Sequence, residues 1–167
     1  NRDDADYLVL IGAAVSWQDQ GDYYTRTRLA LEGFNEEAIN QSMAKRASAD
    51  KSAFGESARV TDAPVGMAPD RWRFIRTNRN EDARDALAQL DLPLFAIWGA
   101  DDLNVDANHN ATIYKELVSG LHAQTRIVVW PGATHGLLKA KAYNWQLTEQ
   151  WSWFAALRFV AEGRHAF

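Results

Sequence analysis

The sequence predicts an α/β fold in which parallel strands are joined by helical crossovers. Three short apolar runs, at residues 7–11, 94–98 and 125–130, have the length and the β-branched or aromatic composition of strands. Each run ends shortly before a glycine, and polar helix-forming sequence separates one run from the next. Strands that alternate with helices in this way form parallel sheets with right-handed crossovers.

The composition is that of an ordinary globular chain. Its 167 residues suffice for one domain, and 47% are hydrophobic and 24% charged. A net charge of −4 gives no electrostatic case for nucleic-acid binding, which needs a clustered basic face. No apolar run approaches the roughly 20 residues that span a bilayer, so we expect no membrane span. The chain has no cysteine, which excludes disulfides and leaves its localisation undetermined.

The first strand is followed by a long helical segment. The run at residues 7–11 is continuously apolar and closes at Gly12, which is typical of a strand buried on both faces. From Trp17 to Leu90 the sequence is polar and helix-forming, with Asn35 as a predicted helix N-cap. We expect helices over 24–31, 35–49, 71–77 and 81–90, and a loop over 53–67.

The remainder of the chain returns to regular alternation. A strand at residues 94–98 leads to an amphipathic helix over 110–119, which Gly120 ends. The strand at 125–130 leads to a long final helix over 143–162. We therefore divide the chain into a core of residues 1–16 and 91–167 and a helical insertion of residues 17–90.

Two residues capable of proton chemistry follow neighbouring strands. Asp102 lies just past the strand at 94–98, and His135 lies just past the strand at 125–130. Function in parallel sheets collects at the carboxyl ends of strands. Histidine suits general base chemistry because its ordinary pKa lies near working pH, at about 6.5. The residues alone leave other interpretations open, since an Asp here often caps a turn, a loop His is often only exposed, and Asp101 competes with Asp102.

These segments resemble the C-terminal half of the α/β-hydrolase family. The stretch G-A-D-D-L-N-V at residues 99–105 is similar to the family's G-x-x-D-x-x-V after its penultimate strand. The stretch P-G-A-T-H-G at residues 131–136 is similar to the loop that carries the catalytic histidine. The resemblance implies that Asp102 is the triad acid, that His135 is the base, and that residues 17–90 form a lid. It also implies a serine hydrolase that cleaves an ester or related acyl bond of a small molecule.

The third member of such a triad is missing from this chain. None of its seven serines stands in the G-x-S-x-G turn that carries the nucleophile in this family. The chain begins at Asn1, and its first methionine is Met43. We therefore expect a C-terminal fragment whose missing N-terminal half supplies the nucleophile and oxyanion hole. The fragment alone is expected to be inactive.

Three aromatic residues are candidates for binding the acyl group. Trp17, Tyr23 and Tyr24 follow the presumed inner strand, where the insertion begins. We expect no metal, because the four histidines are scattered, cysteine is absent and no H-E-x-x-H occurs. We also expect no cofactor, because the sequence contains no glycine-rich phosphate loop.

Two alternative functions remain open from the sequence. One is a relative with an Asp nucleophile, such as a dehalogenase or an epoxide hydrolase. The other is a non-catalytic interaction module, because the strand at residues 7–12 would leave an apolar sheet edge without its partner strand. Such an edge favours pairing with another chain, including a homo-oligomer.

Overall fold

A computed structural model of the chain describes residues 5–55 and 63–140. These residues form two compact units, one drawn from 5–15 and 83–140 and the other from 16–55 and 63–82. The final helix predicted at 143–162 lies outside the described residues. The elements in chain order are β1 Leu8–Ile11, α1 Trp17–Leu31, α2 Glu36–Phe54, α3 Pro69–Asn78, α4 Arg84–Ala88, β2 Leu94–Gly99, α5 Ala107–Val118 and β3 Arg126–Trp130.

The first unit is built on a parallel sheet in the order β1-β2-β3. Ile11 lies opposite Ile97 and Ile97 lies opposite Val128, so the carboxyl ends of all three strands meet at one edge. The prediction of an α/β fold with three parallel strands and flanking helices is confirmed. The sequence placed residues 83–90 in the insertion, but Leu87 of α4 is buried in the core of this unit.

One face of the sheet carries the main hydrophobic core. Side chains alternate between the two faces of a strand, and Leu94, Ala96 and Trp98 of β2 all point to the face that α4 and α5 cover. Trp98 is fully buried and meets the ring of Tyr114 edge to face at 4.9 Å. Burial raises the pKa of the Tyr114 phenol. This packing fixes β2 between its two neighbours.

The other face is covered only in part by the described residues. Ile97, Ala133 and Leu137 form a small cluster over the β2–β3 half of this face. Val9 and Phe95 lie on the same face and are 44% and 39% exposed. The β1 side of this face is therefore apolar and open to solvent among the described residues.

The described residues of the second unit form three helices. α1 begins at Trp17 rather than at residue 24, because the Ser16 hydroxyl accepts a hydrogen bond from the Asp19 N–H at 3.2 Å and caps the helix. α2 follows the predicted cap Asn35, whose side chain accepts from the Ala38 N–H at 2.9 Å, and it continues to Phe54 instead of residue 49. No helix among the described residues is long and apolar enough to cross a bilayer.

Candidate active site

The loop after β2 is held against the end of β3. The Ala100 N–H donates to the Trp130 carbonyl at 2.8 Å, and the Asp101 N–H donates to the Ala133 carbonyl at 2.9 Å. Asp101 is exposed, whereas Asp102, the next residue, is 2% exposed. The backbone of this loop thus directs the Asp102 side chain inward.

Both carboxylate oxygens of Asp102 have defined partners. Oδ1 accepts hydrogen bonds from the N–H groups of Asn104 and Val105 at 2.7 and 2.9 Å. Oδ2 lies 2.8 Å from Nδ1 of His135. A turn-capping role explains the two hydrogen bonds to Oδ1. It does not explain the contact of Oδ2 with His135, because a cap needs no partner on the second oxygen. The structure therefore brings Asp102 and His135 together, and it also gives Asp102 the capping role that the sequence left open.

A tight loop after β3 presents His135. The buried Thr134 donates its N–H to the Leu138 carbonyl at 2.8 Å and accepts the Leu138 N–H on its hydroxyl at 3.1 Å. Leu137 is the one described non-glycine residue with a positive φ, at 56°, and its N–H donates to the Thr134 carbonyl. These bonds fix the backbone on the C-terminal side of His135, while its side chain remains 43% exposed.

The two loops touch through their backbones at Gly99. A Cβ at this position would lie 2.2 Å from the Thr134 carbonyl oxygen and 2.3 Å from that of Ala133. Real Cβ atoms essentially never come this close to a carbonyl oxygen. Gly99 thus allows the loop that carries His135 to lie directly against the end of β2.

The carboxylate sets the protonation behaviour of the imidazole. The hydrogen bond from His135 to Asp102, together with the charge of that carboxylate, raises the pKa of His135 above its ordinary value, while burial of the ring acts in the opposite direction. A neutral ring that donates its Nδ1 proton to Asp102 carries a lone pair on Nε2. The arrangement can accept a proton at Nε2 and stabilise the resulting imidazolium.

The three aromatic candidates belong to the second unit, whereas Asp102 and His135 belong to the first. Trp17 is the first residue of α1 and meets Phe74 edge to face at 5.8 Å. It also lines a cavity of about 740 Å³ within the second unit. Tyr23 and Tyr24 lie further along α1 and are half-buried.

Gly12 and Gly99 contact the loop of His135, and neither was predicted as part of the site. From the sequence, Gly99 was only part of a family pattern, and Gly12 only marked the end of a strand. A Cβ at Gly12 would lie 2.9 Å from Cε1 of His135. The signal that could have found both is their position, since each stands at the carboxyl end of a parallel strand where function collects.

Within the described ranges, no cluster of three or more His, Cys, Asp or Glu side chains could hold a metal ion. No protein-family model, curated protein or solved structure matches the chain.

Proposed function

We propose that this chain is the acid-and-base portion of a serine-type α/β hydrolase that cleaves an ester or related acyl bond of a small molecule. The observation that carries the proposal is the 2.8 Å contact between His135 Nδ1 and Asp102 Oδ2. The two residues follow adjacent parallel strands, where an acid and a base can converge on one reacting group.

In the proposed reaction, Nε2 of His135 removes the proton from a serine hydroxyl as its oxygen attacks the acyl carbon. The same nitrogen then returns that proton to the leaving alcohol. Asp102 holds the ring in the required tautomer and stabilises the imidazolium. General acid–base assistance of this kind contributes typically ~10²–10⁴-fold to the rate.

The remaining parts of the proposed enzyme are a nucleophile, an oxyanion hole and a lid. An N-terminal half that precedes Asn1 supplies the serine and the oxyanion hole. The insertion of residues 17–90 acts as the lid, and Trp17, Tyr23 and Tyr24 line the acyl pocket. An Asp nucleophile in place of serine would make the enzyme a dehalogenase or epoxide hydrolase, and the identity of that one residue separates the two chemistries.

The decisive experiment combines the coding sequence upstream of Asn1 with an activity measurement on the longer protein. We expect an in-frame G-x-S-x-G after a predicted strand upstream of Asn1. We also expect that His135→Ala in the longer protein reduces kcat for a p-nitrophenyl ester by at least ~10²-fold. His122→Ala is the matched control, because His122 lies at the opposite end of β3, before it begins. A translation start immediately before Asn1, or a His135→Ala enzyme with undiminished kcat, would overturn the proposal.

The isolated chain provides a second test. Without a nucleophile, it should not turn over a p-nitrophenyl ester. Turnover by the isolated chain that disappears in His135→Ala would show that the nucleophile lies within these 167 residues.

A non-catalytic interaction module is the second candidate function. It is favoured by the sheet edge at β1, which has no further strand partner among the described residues. Val9, Ile11 and Phe95 beside that edge are all at least 39% exposed. Edges of this kind pair with other chains, and a stable, well-folded monomer in light scattering would count against this function.

A further inference from the structure

Gly12 lies beside the imidazole of His135. It follows β1 directly and has a φ of +60°. A Cβ built on it would lie 2.9 Å from Cε1 and 3.0 Å from Nδ1 of that ring. Four other described glycines also have positive φ, and none of them would bring a Cβ within 4 Å of another group: Gly33, Gly66, Gly120 and Gly132.

We propose that Gly12 is a positioning residue for His135, because its missing side chain leaves the space in which the imidazole reaches Asp102. The inference rests on the proposed function in taking His135 as the general base. The crowding would reach Nδ1 itself, the ring atom that binds the Asp102 carboxylate. A methyl group at position 12 would therefore compete with Asp102 for one edge of the ring.

The backbone around Gly12 is held by hydrogen bonds that oppose a shift away from such a contact. The Gly12 N–H donates to the Ile97 carbonyl at 2.8 Å, which extends the ladder between β1 and β2. The Ala13 carbonyl accepts from the indole N–H of the fully buried Trp98 at 2.9 Å. The Val15 N–H donates to Oδ1 of the buried Asn110 at 2.7 Å.

The imidazole is the part that can move. Its side chain is 43% exposed and rotates about two single bonds, whereas the backbone at Gly12 is tied to β2 and α5. Non-bonded carbon atoms prefer a separation of about 3.5–4.0 Å. An alanine at position 12 should thus turn the ring away from the strand end and lengthen the 2.8 Å contact from Nδ1 to Asp102.

A simpler reading is that the positive φ alone requires glycine at position 12. An NMR pH titration of the His135 ring in the 167-residue chain separates the two, with Gly120→Ala as the matched control. Gly120 lies in the same unit, has a φ of +106° and has an open Cβ position. We expect Gly12→Ala to shift the His135 titration to lower pH and Gly120→Ala to leave it unchanged. A wild-type titration in Gly12→Ala would overturn the inference.

A second measurement covers the case in which Gly12→Ala folds poorly. The loss in urea midpoint caused by Gly12→Ala should shrink when His135 is also replaced by Ala, because the two ring atoms that the methyl would crowd are gone. The loss caused by Gly120→Ala should be the same in both backgrounds. Equal losses from Gly12→Ala with and without the imidazole would show that φ alone matters.

Both measurements are independent of catalysis and of any substrate. If no nucleophile is found upstream, the proposed function fails while the titration shift in Gly12→Ala is still expected. If the shift is absent, the positioning role fails and the assignment of Asp102 and His135 as acid and base is untouched.

Discussion

Asp102 performs two tasks with one carboxylate. Its Oδ1 closes the turn by accepting the N–H groups of Asn104 and Val105, while Oδ2 binds the imidazole of His135. An asparagine at this position could keep the first task, because its carbonyl oxygen accepts the same two amides. Its NH₂ group carries no charge and cannot accept the Nδ1 proton, so the two tasks can be separated by one substitution.

Asp102→Asn should lower the pKa of His135. The hydrogen bond and the negative charge that raise this pKa are removed, while the burial that lowers it remains. An NMR titration of the ring checks the shift. The control is Asp101→Asn, which changes an exposed carboxylate one residue away and should leave the titration in place. An unchanged His135 pKa in Asp102→Asn would show that the carboxylate does not bind the ring in solution.

The same contact should make stability depend on pH. Because the pKa of His135 is raised in the folded protein, the pair contributes fully below the unfolded pKa of about 6.5. That contribution is lost as pH rises through the folded pKa. The free energy of unfolding of wild type minus that of Asp102→Asn should be about 1 kcal/mol larger at pH 6 than at pH 9. The difference stays this small because solvent screens the half-exposed ring. Urea unfolding at both pH values measures the difference, and a larger gap at pH 9 would contradict it.

At the scale of the elements, Gly99 decides how closely the β3 loop approaches β2. Gly99→Ala forces a methyl group onto two carbonyl oxygens. Such overpacking should reduce the free energy of unfolding by about 1–3 kcal/mol. Gly136→Ala is the control in the same loop, because its Cβ would meet only a Leu138 side-chain atom at 4.0 Å. Chemical denaturation of both variants tests the expectation, and equal stabilities would exclude the close approach.

Asn110 connects α5 to the segment that follows β1. Its Oδ1 is the acceptor for the buried Val15 N–H, and its Nδ2 donates to the Asp106 carbonyl at 2.7 Å. Asn110→Ala should cost about 1–3 kcal/mol of stability, because it leaves a buried donor without an acceptor. Asn108→Ala, on the exposed face of the same helix, should change stability by less than about 0.5 kcal/mol. Urea denaturation distinguishes the two, and a tolerated Asn110→Ala would contradict the link.

Local sequence signals predicted some boundaries of the elements and missed others. Asn35 was predictable as an N-cap because it precedes two glutamates in the first turn of α2. The start of α1 was missed although Ser16 stands three residues before Asp19, a spacing typical of a capped helix. The strand-end positions of Gly12 and Gly99 were visible in the sequence, but the contacts themselves were not, because they join residues that are far apart in the chain.

At the scale of the whole molecule, the β1 side of the sheet, which is open among the described residues, should promote association of the isolated chain. Val9 and Ile11 are 44% and 58% exposed beside an edge strand. We expect sedimentation velocity to show concentration-dependent self-association, which Val9→Lys weakens by placing a charge on this face. Phe34→Lys is the control, since it replaces an equally exposed apolar residue in the second unit. A monomer at all concentrations would contradict the expectation.

The architecture was more predictable than the reaction. The alternation of apolar runs and helices predicted three parallel strands, because parallel pairing needs crossovers of this length. The end of the second unit at Asp82 was not predicted, because the burial of Leu87 under the sheet is a tertiary property. His135 could be selected from its place after β3, but Asp102 could be chosen over Asp101 only through the family pattern that begins at Gly99. The acyl group and the nucleophile could not be predicted, because on the proposed function they are specified outside this sequence.

The parallel pairing of β2 with β3 also makes the imidazole a reporter of folding. Gly99 lies opposite Trp130, and a slip of one residue along the strands would displace the two loops by about 3.3 Å. It would also turn the side chains of one strand to the other face. The bond between Asp102 and His135 can therefore form only when this register is correct. During refolding, the His135 ring resonance should mark the moment at which β2 and β3 reach their native alignment.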